Sequence, residues 1–254
     1  MSLITFVRIP NIEYELTLND ICLSKSSLES VCYKLRSLQS LIYLSLRNVD
    51  LSDSVFIQLF DGLQYGLQLV HLDLSQNRIG DASMKLLSRM LGPDYVLNDL
   101  NLRHNSISSC GFNAISSWLK NNETLEYLDM SCNRCEDDGC IALFGCLNSN
   151  ACLVSLKLSC NALSESIVPY LVNLLGENST LANIDLSGNP IGTMGDVGDE
   201  FKELVRLRSR CDLMGCGFSQ QQERDFQKPV ESVEPIIPRP LSPFMRMQAM
   251  KKFS

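Results

Sequence analysis

The sequence predicts an α/β solenoid, a horseshoe of about seven 28-residue repeats with a parallel sheet on the concave side and helices on the convex side. Three observations carry that expectation. A ladder of leucines returns at a fixed interval, each rung alternates with the period of a strand, and the stretch after each rung has the apolar spacing of a helix. From Leu69, Leu72, Leu74, Asn77 and Ile79, a step of 28 reaches Leu97, Leu100, Leu102, Asn105 and Ile107. Further steps give Leu125, Leu128, Met130, Asn133 and Cys135, then Leu153, Leu156, Leu158, Asn161 and Leu163, then Leu181, Ile184, Leu186, Asn189 and Ile191. One step back lies Leu41, Leu44, Leu46, Val49 and Leu51, and a second gives a degraded copy with Leu16, Leu18, Ile21 and Leu23.

These rungs spell Leu-x-x-Leu-x-Leu-x-x-Asn-x-Leu. With their period and the long segment between them, they resemble the ribonuclease-inhibitor-like class of leucine-rich repeat over residues 13 to about 218. The resemblance implies that each signature Asn satisfies backbone groups where the chain turns away from its strand, a ladder from Asn77 to Asn189. Val49 and Ile21 interrupt it, so the first two repeats need another way to satisfy those groups.

Along the chain, residues 1–12 form an amino-terminal cap segment. Leu3, Ile4, Phe6, Val7 and Ile9 are apolar but too few for a full capping helix, so this segment either folds over the first repeat or docks onto another chain. Residues 13–226 form the solenoid with its carboxy-terminal cap. Ser24, Ser52, Gly80, Ser108 and Ser164 share one repeat position just past the ladder and suit a helix amino terminus, with Glu136 the exception. Met84, Leu87, Met90 and Leu91, or Phe112, Ile115, Trp118 and Leu119, then have helical spacing. Polar turns such as Asn121-Asn-Glu-Thr and Glu177-Asn-Ser-Thr return the chain to the sheet, and Pro169 tightens or kinks the first turn of the sixth helix. After Ile191 the register slips. Val197, Phe201, Leu204, Val205 and Leu207 read as a helix, and Cys211, Leu213, Cys216 and Phe218 as a last strand with Cys at the Asn position.

Residues 227–254 cannot continue the solenoid. Pro229, Pro235, Pro238, Pro240 and Pro243 favour an extended tail, and Ile236, Ile237, Arg239, Leu241, Phe244 and Met245 offer anchors for docking along a partner. This tail carries five basic and two acidic residues, a net +3, which leaves −10 of the total −7 on residues 1–226. An acidic body argues against nucleic-acid binding, which needs a basic stripe for phosphates. No apolar run spans a bilayer, and residues 1–10 lack the charged leader and long apolar run of a secretory signal, so a cytoplasmic chain is expected. In that compartment the 11 cysteines are expected as reduced thiols and the sequons at Asn122 and Asn178 as unused.

Chemistry is sparse. His71 and His104 are the only histidines, no nucleophile is paired with an activating base, and no Gly-rich phosphate loop occurs. Neither an enzyme, a cofactor, a metal nor a small-molecule substrate is expected. Cys132 and Cys160 share a repeat position and should be neighbours, able in principle to bridge or hold a metal but expected as a reduced stacked pair. Cys132-x-x-Cys135 stands alone, with Cys135 pointing into the core.

The resemblance instead implies other proteins as partners, held along the concave sheet. One outward row runs Glu15, Tyr43, His71, Asp99, Tyr127, Ser155, Asn183, and the next Thr17, Ser45, Asp73, Asn101, Asp129, Lys157, Asp185. A third runs Asn19, Arg47, Ser75, Arg103, Ser131, Ser159, Ser187. Tyr43, Arg47, His71, Asp73, Asp99, Asn101, Arg103, Tyr127, Asp129 and Lys157 are therefore the candidate binding residues, because Tyr and Arg are the usual anchors of interfaces. In repeat class and compact length the chain looks like leucine-rich-repeat subunits of ciliary and flagellar axonemes, including that of the dynein regulatory complex, which implies a scaffold of the cytoskeleton. The repeat class is also similar to Ran GTPase-activating protein, which would make Arg78 and Arg134, on strand-to-helix turns, contacts for a small GTPase.

Overall fold

A computed structural model describes residues 5–8, 14–21, 41–61, 69–92, 96–192 and 211–226, with single helical positions at 27, 30, 31, 33, 35, 201, 202 and 205. The chain order is β1 (Thr5–Arg8), β2 (Tyr14–Thr17), β3 (Leu41–Ser45), α1 (Asp53–Asp61), β4 (His71–Asp73), α2 (Asp81–Met90), β5 (Asp99–Asn101) and α3 (Ser109–Leu119). It continues with β6 (Tyr127–Asp129), α4 (Glu136–Leu147), β7 (Ser155–Lys157), α5 (Val168–Glu177), β8 (Asn183–Asp185), β9 (Cys211–Asp212) and α6 (Gln220–Phe226). The nine strands form one sheet in sequence order. From β2 to β9 every pairing is parallel, and Tyr43, His71, Asp99, Tyr127, Ser155 and Asn183 pair in turn, so the register step between β3 and β8 is the sequence period. β1 runs antiparallel to β2, with Thr5 opposite Thr17 and Arg8 opposite Tyr14, and covers that edge of the sheet.

The apolar rungs fill the column between sheet and helices. Leu100, Leu102, Leu125, Leu156, Leu158 and Ile107 are completely buried, as are Phe56 of α1, Phe112 of α3 and Phe144 of α4. Each such leucine is worth roughly 2 kcal/mol of transfer free energy, which outweighs the weak intrinsic preference of three-residue strands. At the carboxy-terminal end Phe201, Phe218 and Phe226 close the column, with ring centroids 5.0–6.4 Å apart.

Three polar ladders hold the backbone where the chain changes direction. In the first, each signature Asn reaches both its own turn and the preceding one. Asn133 donates to the carbonyls of Leu102 and Met130 and accepts from the Ile107 N–H, and Asn161 repeats this one turn on with Met130, Leu158 and Cys135. Asn77 also serves the second repeat, which lacks the signature Asn, accepting from Val49 and Leu51 and donating to the Leu46 carbonyl. At the far end the Cys216 thiol takes the Asn role and donates to the Leu186 carbonyl at 3.1 Å.

The second ladder runs through the return turns. Asn150 donates to the carbonyls of Leu119 and Asn122 and accepts from Cys152 and Leu153, and Asn178 does the same with Leu147, Asn150, Thr180 and Leu181. Asn178 is buried and its amide nitrogen is engaged, so the sequon there has no free amide to modify.

The third ladder corrects the expectation that each helix is capped within its own repeat. Ser108 and Ser164 do accept from the N–H two residues on, but Gly80 offers no side chain, and the stronger cap comes from the repeat before. Asp53 accepts from Gly80 and Ser83, Asp81 from Ser108 and Gly111, and Asp137 from Ser164. A carboxylate in the first turn of one helix thus meets the positive amino end of the next. Gly111 makes room for it, since a Cβ there would lie 2.6 Å from Asp81 Oδ1 and 2.5 Å from Ile107 Cγ2. Where Ser109 replaces the Asp, α4 begins without a side-chain cap and Glu136 takes φ 54°. Pro169 is the second residue of α5, behind a 3-10 turn over Glu165–Ile167, where its missing N–H leaves no helical bond unmade.

Candidate protein-binding face

The period-two alternation of each strand turns every second residue toward the concave surface, and parallel in-register pairing brings those residues into rows. The first row stands in register, but His71 within it is buried rather than turned out to solvent. Tyr43 and His71 stand with ring centroids 5.9 Å apart, and His71 Nδ1 lies 3.4 Å from Asp99 Oδ2, a hydrogen bond when that nitrogen carries the proton. Tyr127 follows on β6 next to Asp99. Burial, then Asp73 and Glu15, push the Tyr43 hydroxyl pKa up, and burial, then Glu126 and Asp99, push that of Tyr127 up.

The second row is partly structural. Asp73 Oδ1 accepts from the Ser75 N–H, Asn101 from Arg103, Asp129 from Ser131 and Asp185 from Ser187, each at 2.9–3.0 Å, so these side chains tie the turn that ends their strand. Lys157 is exposed and paired in register between Asp129 and Asp185. The third row departs from expectation: Ser75, Ser131 and Ser159 are buried, and Ser45 of the second row is buried as well. Their small side chains fit beneath the turns, which leaves Arg47 and Arg103 exposed at the rim. Arg47 Nε donates to Gln76 Oε1 at 3.2 Å. Glu15, Asp73, Glu126 and Asp129 have no basic side chain within ion-pair distance among the described residues, so the face from β2 to β6 keeps its negative charge.

Sequence reasoning missed the row along the rim of this face. Asp20, Asn48, Gln76, His104, Cys132, Cys160 and Gly188, one per repeat, all hold φ between 53° and 67°. Asp, Asn and Gly tolerate that left-handed region, but the Gln, His and Cys positions hide it. Cys132 and Cys160 are neighbours in the row as expected, and Cys135 is buried in the core. A cleft of about 520 Å³ lies along the row, lined by Asp20, Asn48, Asp50, Gln76 and Arg78. There Arg78 Nη2 is 2.5 Å from Asp50 Oδ1. Arg134 is exposed, and its backbone pairs with that of Ser108 in an isolated parallel bridge. No group of three metal-ligating side chains occurs among the described residues, and no described helix is long and apolar enough to cross a membrane. Ile236, Ile237, Arg239, Leu241, Phe244 and Met245 lie outside the described residues.

Residues 69–88 and 121–144 match the family model described as Leucine Rich repeat. No curated protein matches the chain at a significant level. Among solved structures, the leiomodin-1 actin-binding site 2 is similar at 22% identity over 61% of this chain and 90% of its own, with a TM-score of 0.49. An internalin (inlF) from Listeria monocytogenes str. 4b F2365 is similar at 18% identity over 80% of this chain and 54% of its own, with a TM-score of 0.47. With the matched repeats, the in-register parallel strands and the Asn ladder together, the fold is a leucine-rich-repeat solenoid.

Proposed function

We propose that the chain is a non-enzymatic scaffold that holds a protein partner on the concave face between β3 and β6. The observation that carries this reading is the row Tyr43, His71, Asp99, Tyr127: two half-buried aromatic rings flank an acidic centre, with Arg47 and Arg103 at the rim. Aromatic and arginine side chains of this kind anchor interfaces, and the uncompensated carboxylates favour a partner segment of opposite charge. The tail from residue 227 is read as a second attachment that raises the effective concentration of the first. The resemblance in repeat class to axonemal subunits supports a place in a ciliary or other cytoskeletal assembly. The GTPase reading is weaker, because the Arg78 guanidinium is already bound to Asp50.

The test has two stages. Cells are fractionated with detergent and then high salt, and neighbours of the chain are identified by cross-linking and mass spectrometry; retention in the detergent-resistant fraction, with cross-links to filament proteins, is expected. Tyr43→Ala with Arg103→Ala should then cut affinity for the identified partner at least tenfold while leaving the thermal midpoint in place, since neither side chain takes part in a ladder. Leu100→Ala, the control, should destabilise the body by about 3 kcal/mol. Full affinity in the double variant removes the concave face as the site.

A further inference from the structure

We propose that Cys132 and Cys160 form an oxidation site, a dithiol on the rim of the concave face that a peroxide converts to a disulfide joining two adjacent repeats. Both residues sit on the left-handed corner that follows a strand, at φ 57° and 54°. The corners are stacked in register: the Cys132 N–H donates to the Ser159 carbonyl at 2.7 Å and the Cys160 N–H to the Ser187 carbonyl at 2.9 Å. Chain segments stacked in that way lie about 4.8 Å apart, inside the window of roughly 4.4–6.8 Å that a disulfide needs between its α-carbons. The two side chains are near enough for each sulfur to bear on the other's charge.

Access distinguishes this pair from the other cysteines. Cys135 and Cys140 are also in thiol contact, but both are completely buried. Cys110 is exposed but has no thiol contact among the described residues. Cys160 is exposed, Cys132 partly so, and the next corner in the row is Gly188, where a Cβ would lie 2.8 Å from Cys160 Sγ. The missing side chain leaves that sulfur open to a small oxidant. Arg103 stands near enough to favour the Cys132 thiolate, against the burial that raises its pKa.

The chemistry balances with hydrogen peroxide alone. The Cys160 thiolate attacks one peroxide oxygen, the O–O bond breaks, and a sulfenic acid and water result. The Cys132 sulfur then attacks the sulfenic sulfur, the S–S bond forms, and the hydroxyl leaves as a second water. Two thiols lose two electrons and two protons, and the peroxide takes up both.

The test needs only the full chain. After titration with hydrogen peroxide, free thiols are alkylated and the peptides mapped by mass spectrometry. A Cys132–Cys160 linked peptide should dominate, reverse with dithiothreitol, and raise the thermal midpoint by about 5 °C over the reduced protein. Cys135 and Cys140 should remain thiols that react only after denaturation. In Cys132→Ser the reaction should stop at a Cys160 sulfenic acid trapped by dimedone, and the rise in midpoint should vanish. Persistence of that sulfenic acid in the unaltered chain, or links that join Cys160 to other cysteines or to a second molecule, would overturn the proposal. The mapping of the unaltered chain decides the matter even where a serine variant fails to fold.

Discussion

Asn161 shows how much of this fold depends on single side chains. Its amide nitrogen donates to Met130 and Leu158 and its oxygen accepts from Cys135, all completely buried, so two turns of the solenoid share one residue. Removing it leaves the Cys135 N–H without a partner and takes one of two amide donors from each of the Met130 and Leu158 carbonyls, and burial prevents water from replacing them. Asn161→Ala should therefore lower stability by about 3 kcal/mol in chemical denaturation, more than its lost apolar contacts explain. A loss below about 0.5 kcal/mol would show that the ladder is decoration. This ladder was legible in the sequence because one residue type recurs at one spacing. The corner row Gln76, His104, Cys132, Cys160 was not, because its shared property is a backbone angle imposed by the fold rather than a side-chain type. The same blindness covered the inward turn of Ser75, Ser131 and Ser159, since serine fits either side of a sheet.

At the scale of the element, strands of two to five residues and helices of seven to twelve are short, and each is held by its neighbours more than by its own sequence. The Asp ladder is the clearest case. Asp53, Asp81 and Asp137 recur at the repeat period, but their spacing does not tell a residue that caps its own helix from one that caps the next. Asp81 holds the amino ends of two helices together, since it begins α2 and accepts from Ser108 and Gly111 of the next repeat. Asp81→Ala should cost about 1–2 kcal/mol by denaturant melting, whereas Asp81→Asn keeps the accepting oxygen and should cost less than half as much. Equal losses in the two variants would mean that charge, not hydrogen bonding to the backbone, supplies the effect. The candidate face shows the opposite limit of sequence reading. Register alone placed Tyr43, His71, Asp99 and Tyr127 side by side, but the use of Asp73, Asn101 and Asp129 to tie turns depends on a side-chain rotation that spacing does not reveal.

For the molecule as a whole, the core is a column rather than a ball, so each repeat packs only on the repeats beside it. Stability should then be a sum of repeat terms and interface terms, and damage should stay local. Leu186 and Leu100 are both buried leucines of the apolar ladder, one near the carboxy-terminal end on the turn after β8 and one in the middle on β5. Each should cost about 3 kcal/mol when cut to alanine, but the pattern of opening should differ. In Leu186→Ala, amide exchange of Leu158 and Leu186 should speed up while that of Leu74 and Leu102 stays near its original rate, because the amino-terminal repeats keep every interface they had. In Leu100→Ala the amides on both sides, Leu74 and Met130 among them, should exchange faster together, because the break removes a shared interface from two halves at once. Uniform acceleration throughout the chain in both variants would show a single cooperative unit, and the ladders would then have to carry coupling from one end of the solenoid to the other.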